Sequence, residues 1–298
     1  MRFDQFLANR AGPVISFEVF PPKTDQAMHN LRVVLPQLIE LGPSYMTVTY
    51  GALGSTRERT LEIASLIKRD FGMECACHLT CVGSSRADID RIVRDIRRAG
   101  IENIVALRGD PPKGEAGFVP PTDGFAHANE LVAHIRAVES RDGHGRVGVA
   151  VAGYPEKHIE ARDMATDLAN LRRKVDAGAD VVITQLFYDN ADFFRFVDAA
   201  RAAGIAQPIV PGLLPIQSVR QIRRITELCG AKIPPALEDE LAAAGDDDAA
   251  AEEIGVRQCV AQARELIAGG APGIHFYVLN KARPMQRIME HIGPAAGR

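Results

Sequence analysis

Eight short apolar runs rich in β-forming residues recur along the chain, at residues 15–20, 45–51, 75–80, 103–109, 148–154, 181–187, 208–214 and 273–279. Longer segments with helical periodicity lie between them, such as Leu31, Leu35, Leu38 and Ile39, or Ile89, Ile92, Val93 and Ile96 with charges on the opposite face. Val181-Val182-Ile183 and Ile104-Val105-Ala106-Leu107 are continuously apolar rather than alternating, as expected of strands covered on both faces in a parallel sheet. Eight successive βα units without a break in composition predict an α/β fold, a (β/α)8 TIM barrel, with residues 1–298 forming one domain. Periodicity alone leaves an open, doubly wound sheet as the alternative.

The seventh and eighth runs are further apart than the others, and extra helices are expected at 234–244 and 249–268 beyond one at 217–228. Gly245-Asp246-Asp247-Asp248 separates the two extra helices and reads as a polar turn whose aspartates cap the second of them. A calcium loop is not expected, because the ligand ladder and its terminal Glu are missing.

A chain of 298 residues suffices for a barrel, which typically needs about 250. The hydrophobic fraction of 46% and charged fraction of 24% are ordinary for a globular protein, and a formal charge of -3 offers no broad cationic field for nucleic acid. The start Met1-Arg2-Phe3-Asp4-Gln5-Phe6-Leu7 has no long apolar h-region, and no stretch stays apolar and uncharged for the ~20 residues of a membrane span. Five cysteines, an odd number, do not suggest a disulfide framework. Together these features predict a cytoplasmic protein with no membrane partner.

Working groups of an α/β barrel sit where strands run out into the βα loops. The polar residues there are Glu18, Thr49 and Tyr50, His78 and Thr80, Arg108 and Asp110, Tyr154 with Glu156 and His158, Gln185, and Tyr277 with Asn280. Glu18 stands in an aromatic and aliphatic run that ends in Pro21-Pro22. Apolar surroundings would raise its pKa and let it act as a general acid; a Glu paired with a buried cation is the bland alternative. Asp110 follows Arg108-Gly109 and precedes Pro111-Pro112, a place where something planar can approach, although an Asp before Pro is also a common turn former.

Cys75, Cys77, His78 and Cys81 invite comparison with a zinc site, yet on a strand Cys75 and Cys77 share one face and His78 the other, so no metal is expected. Gly143-His144-Gly145-Arg146-Val147-Gly148 has the dinucleotide glycine spacing but precedes a strand instead of joining a strand to a helix, so it reads as a turn. Arg172, Arg173 and Lys174 are candidates for holding phosphates. None of the eight runs contains the lysine of a Schiff-base aldolase. A metal-dependent barrel hydrolase and a non-catalytic binding protein are the alternatives.

In order along the chain, Phe17-Glu18-Val19-Phe20-Pro21-Pro22, Val48-Thr49-Tyr50-Gly51, His78-Leu79-Thr80, Ala106-Leu107-Arg108-Gly109-Asp110, Tyr154-Pro155-Glu156-Lys157-His158, Asp176-Ala177-Gly178-Ala179 with Thr184-Gln185, Pro211-Gly212-Leu213-Leu214-Pro215 and His275-Phe276-Tyr277-Val278-Leu279-Asn280 resemble the bacterial methylenetetrahydrofolate reductase family. The resemblance implies an FAD-dependent oxidoreductase that takes electrons from NADH or NADPH and exchanges this donor for a tetrahydrofolate substrate in ping-pong turnover. It also implies a homo-oligomer. By the resemblance, Glu18 protonates N10 of the folate, opening the ring to an iminium cation that accepts hydride from the flavin, and Asp110 stabilises the developing positive charge. The implied flavin contacts are Thr49, His78, Arg108, Gly109, Asp110, Ala128, Tyr154, His158, Ala161, Asp167, Asn170, Arg173 and Lys174. Substrate contacts are implied for Glu18, Asp110, Gln185, Gln221, Tyr277 and Lys281. Lys281 departs from the arginine common in the family, and an ammonium cannot grip a carboxylate in the bidentate way a guanidinium does.

Overall fold

A computed structural model describes residues 1–50, 54–110, 117–143 and 145–293, without the side chains of 54–57. Eight strands are seen: β1 (Val14–Val19), β2 (Tyr45–Val48), β3 (Cys75–Thr80), β4 (Asn103–Leu107), β5 (Gly148–Gly153), β6 (Val181–Leu186), β7 (Ile209–Leu213) and β8 (Gly273–Tyr277). All pair in parallel and in sequence order, and β8 returns to β1, so the sheet is a closed barrel. The helices are α1 (Phe3–Ala8), α2 (Asp25–Glu40), α3 (Gly54–Asp70), α4 (Arg86–Arg98), α5 (Ala128–Asp142) and α6 (Met164–Asp176). They continue with α7 (Asn190–Ala202), α8 (Val219–Cys229), α9 (Pro235–Ala244), α10 (Asp248–Ala268) and α11 (Arg283–Ile292). The closed barrel replaces the open sheet that periodicity alone allowed, and the extra helices between β7 and β8 lie where expected.

Local signals account for the helix ends. Asp247 accepts the amides of Ala249 and Ala250, so the acidic turn caps α10 as anticipated. Ser85, Asp163, Asp189 and Ser218 do the same for α4, α6, α7 and α8.

Alternate side chains of each strand enter different cores. Ile15, Phe17, Cys75, Cys77, Leu79, Ile104 and Phe276 pack outward against the helices, whereas Val14, Tyr45, Ala76, Val105, Ala150, Val181 and Val210 fill the barrel. The cysteines therefore face the helices, opposite to His78, and burial pushes the Cys77 thiol up to about 12.

The short helix α1, which periodicity did not reveal, belongs to the inner core. Phe3 is fully buried with its ring 5.0 Å from that of Tyr45, and its amide donates to Asn103 Oδ1 at 2.8 Å. Asn103 Nδ2 donates in turn to Met1 O at 2.9 Å. Gly148, at the start of β5, lies so close to Asn103 Oδ1 and the Phe3 amide that a side chain there would collide with both. The Gly143–Gly148 pattern thus connects α5 to β5 at this floor, with His144 outside the described residues. Replacing Phe3 by Ala should cost about 3–5 kcal/mol, the usual penalty for emptying a buried aromatic site, read as a lower urea midpoint.

Candidate functional site

The C-terminal ends of the strands surround a cavity of about 960 Å³. Its position is where α/β barrels hold their ligands, and its size is near the top of the ~300–1,000 Å³ usual for small-molecule sites. Glu18, Thr49, His78, Arg108, Gly109, Asp110, Ala128, Tyr154, His158, Ala161, Asp167, Asn170, Arg173, Lys174, Gln185 and Tyr277 all line it. Gln221 and Lys281 are not part of this lining: Gln221 is half-buried in the first turn of α8, and Lys281 is exposed beyond β8. Arg172 is also turned away, bonded to Asp176 Oδ1 at 2.7 Å and to Ala203 O at 3.1 Å, which corrects its reading as a phosphate ligand. Helical spacing explains the difference, because Asp167, Asn170, Arg173 and Lys174 share the inner face of α6 and Arg172 falls off it.

Glu18 is the innermost acid. Thr47 Oγ1 donates to its Oε2 at 3.0 Å, and His275 Nε2 lies 3.1 Å from the same oxygen. His78 Nε2 is also 3.0 Å away, but off the line a hydrogen bond needs. Ser16 Oγ sits 2.8 Å from His275 Nδ1; with the hydroxyl donating there, Nε2 carries the hydrogen directed at Glu18. Ser16, Thr47 and His275 are fully buried.

This arrangement overturns the expected rise in the Glu18 pKa. Burial does push the carboxyl up, but the His78 and His275 imidazoles beside Oε2 outweigh it. The net effect is to hold the carboxyl well below the usual carboxylate range. The sequence run around Glu18 is apolar because its neighbours Phe17 and Val19 face outward; the inward neighbours come from other strands.

Tyr277 reaches across the mouth and donates to Thr184 O at 2.7 Å. Thr184 lies where β6 carries an extra residue relative to β7, between Ile183 and Leu186, and the Gln185 side chain accepts the Leu186 amide at 2.9 Å. Gly212 of β7 leaves room for this crossing, since a Cβ there would lie 2.7 Å from the Tyr277 hydroxyl.

The opposite wall is more cationic. Burial lowers the Lys174 pKa to about 8, partly offset by Asp167, and its ammonium donates to Ala152 O at 2.5 Å. Asp167 accepts the His158 amide at 3.0 Å, and the His158 ring stands edge-on to Tyr154 with centroids 4.6 Å apart. Lys157 has a left-handed backbone, φ 80°, and its ammonium donates to His158 O at 3.0 Å and Ala161 O at 2.6 Å, fixing the turn between them. Gly109 also has positive φ, 85°, and a Cβ there would lie 2.7 Å from Val82 Cγ2. Asp110 follows at the exposed rim, and the Pro-Pro turn after it lies outside the described residues.

Several relevant residues escaped the strand-end survey. Ser16, Thr47 and His275 sit one layer deeper, and the two-residue spacing from Glu18, Thr49 and Tyr277 was the signal that would have found them. Glu160 and Arg162, on the turn after β5, also line the cavity and carry no periodic signal.

A closed parallel barrel with a cavity at its C-terminal mouth and a deep acid beside two imidazoles defines an α/β-barrel protein with a ligand site in the usual enzymatic position. The family model described as methylenetetrahydrofolate reductase matches residues 2–293. Over 295 residues the chain is 36% identical to the 5,10-methylenetetrahydrofolate reductase of Escherichia coli (strain K12), covering 99% of this chain and 96% of that one. Identity to methylenetetrahydrofolate reductase (NADH) 1 of Arabidopsis thaliana is 42% over 287 residues, covering 93% of this chain but 48% of the plant protein. The chain spans about half the length of the plant relatives it matches. It belongs to the methylenetetrahydrofolate reductase family.

Among solved structures, an uncharacterized Clostridium thermocellum protein described as binding two copies of 5-methyl-5,6,7,8-tetrahydrofolic acid superposes with a TM-score of 0.64. It is 15% identical, and the match covers 96% of this chain and 95% of that one. Oxaloacetate acetylhydrolase superposes with a TM-score of 0.57 at 13% identity, covering 96% and 82%. At these identities the likeness shows the barrel alone.

Glu18 has a consequence for stability that can be measured. Its folded-state pKa lies below the ordinary 4.5, so the stabilisation is complete above that value and is lost as pH falls below it towards the folded value. Glu18→Gln should flatten that acid limb when urea midpoints are followed from neutral pH downwards. An acid limb as steep as in the unsubstituted protein would show that other groups produce it.

Proposed function

We propose that this chain is a flavin-dependent oxidoreductase that interconverts 5,10-methylenetetrahydrofolate and 5-methyltetrahydrofolate, with NADH or NADPH as the electron donor. The observation that carries the reading is Glu18 at the floor of the cavity, in contact with His78, His275 and Thr47, in a chain that belongs to this family.

The lining suits FAD. A buried ammonium at Lys174 and the guanidinium groups of Arg108 and Arg173 would hold anionic parts of the cofactor, and the Gly109 backbone offers a surface without a side chain. His158, Tyr154 and Asn170 would complete its polar and aromatic contacts, with Thr49, Ala128, Ala161 and Asp167 beside them. When bound, FAD supplies the two-electron relay between nicotinamide and folate. A shared mouth supports alternation of the two substrates, the ping-pong order.

Glu18 serves as the acid for the folate half-reaction. Thr47, His78 and His275 all approach Oε2, which leaves Oε1 to address a ligand nitrogen. Filling the cavity with a ring removes water and pushes the carboxyl up, against the His78 and His275 imidazoles that hold it down. The proton therefore belongs to the Glu18–histidine cluster rather than to an isolated carboxyl. Asp110 at the rim stabilises positive charge developing on the ligand, and Gln185 and Tyr277 orient it from β6 and β8. Gln221 and Lys281, beyond the cavity lining, are assigned to more distal parts of the folate.

Purified protein should be yellow, bleach with NADH or NADPH, and regain its colour with methylenetetrahydrofolate. A colourless protein that FAD cannot reconstitute contradicts the reading, and tight folate binding without pyridine-nucleotide oxidation indicates a carrier. Glu18→Gln should leave flavin reduction within about twofold of the unsubstituted rate while slowing the folate half-reaction by at least the ~100-fold typical of a lost general acid, measured by stopped-flow absorbance. Equal loss in both half-reactions would assign Glu18 a structural role.

A further inference from the structure

The guanidinium of Arg108, at the end of β4, is engaged on two sides. Nε donates to Gly109 O at 3.3 Å. Nη1 and Nη2 both donate to the Glu160 carboxylate, Nη2 at 2.8 Å, and the Phe118 ring centroid lies 5.4 Å from Cζ. Two N–H groups facing two oxygens is the arrangement in which a guanidinium grips a phosphate or carboxylate. The anion-gripping edge of Arg108 is thus filled by an anion of the protein itself.

Glu160 is presented by a fixed turn. Lys157 fastens the carbonyls of His158 and Ala161 on either side of it, and the Glu160 amide donates to His158 Nδ1 at 3.1 Å. Both partners line the cavity, with 23% of the Arg108 side chain and 52% of the Glu160 side chain exposed. Pairs this open are weak enough for an incoming anion to displace. Other cations on this wall are held differently: Arg173 by the neutral Asn170, Lys174 by a carbonyl, and Arg162 by Asp163 beside it in sequence. Among the described cations of this wall, Arg108 alone is gripped by a carboxylate from a different βα loop.

We propose that Glu160 is an internal competitor for Arg108, a carboxylate latch that a phosphate-bearing cofactor must displace and that lowers affinity for it. The proposal rests on the flavin reading for the identity of that cofactor. No covalent bond changes: the carboxylate moves into water, a phosphate takes its place on the guanidinium, and the displaced charge stays near enough to repel the newcomer. Glu160 therefore sets how readily the cofactor is retained.

The test is the affinity of flavin-stripped protein for FAD, followed by flavin fluorescence, in the unsubstituted chain, Glu160→Gln, Arg108→Gln and the double variant. ADP binding, measured by calorimetry, serves as a flavin-free probe of the same contact. Glu160→Gln should tighten FAD binding up to about fivefold, the scale of a rim ion pair. Arg108→Gln should weaken binding, and adding Glu160→Gln to it should restore less than the single change gains. Unchanged or weaker FAD binding by Glu160→Gln overturns the proposal, as does a gain that persists in full without Arg108. Failure of the unsubstituted chain to bind FAD overturns the flavin reading instead; the latch then stands if Glu160→Gln tightens ADP binding and falls if it does not.

Discussion

A strand in a closed barrel has only two directions in which to send its side chains, and the floor of the site follows from that alternation. Odd positions of β1 meet helices and even positions meet the lumen, so Phe17 and Val19 are core while Ser16 and Glu18 are interior chemistry. The lumen holds apolar side chains such as Phe3, Val14 and Tyr45 together with the buried polar groups of Ser16, Thr47 and His275. A one-residue slip of β1 or β8 would exchange the acid and its imidazole partner for phenylalanines.

These polar groups are costly to bury, and the structure meets that cost by pairing them. Thr47 and His275 bond Glu18, and Ser16 bonds His275. A carboxylate placed alone at this depth would take up a proton to avoid desolvation; with these neighbours it keeps its charge in the open cavity. Burial and the imidazoles act on Glu18 in opposite directions, and the imidazoles prevail.

Much of this was legible in the chain. Strands buried on both faces write themselves as unbroken apolar runs, so the eight strands could be located to within a few residues. What remained hidden lacked a local signature: α1 is too short to show a period, and its role is fixed by Asn103 and Tyr45, far along the chain. The environment of Glu18 was misread because its sequence neighbours face away from it, while the groups that set its charge come from β2, β3 and β8. Arg172 was misplaced for a simpler reason, since basic residues adjacent in a helix point in different directions. Family resemblance named many of the residues that line the cavity, but not Glu160, whose partnership with Arg108 depends on two loops meeting.

Glu18 pairs with residues from both ends of the fold. Its strand is made early in the chain, yet His275 arrives only with β8, whose pairing with β1 closes the sheet. Joining such distant segments carries the loop-entropy cost of the whole intervening chain. Until closure, a half-built barrel exposes the edge of β1 and leaves the carboxylate without the imidazole that later compensates it. The full set of neighbours around Glu18 is therefore complete only when the two ends of the chain meet in the β1–β8 pairing.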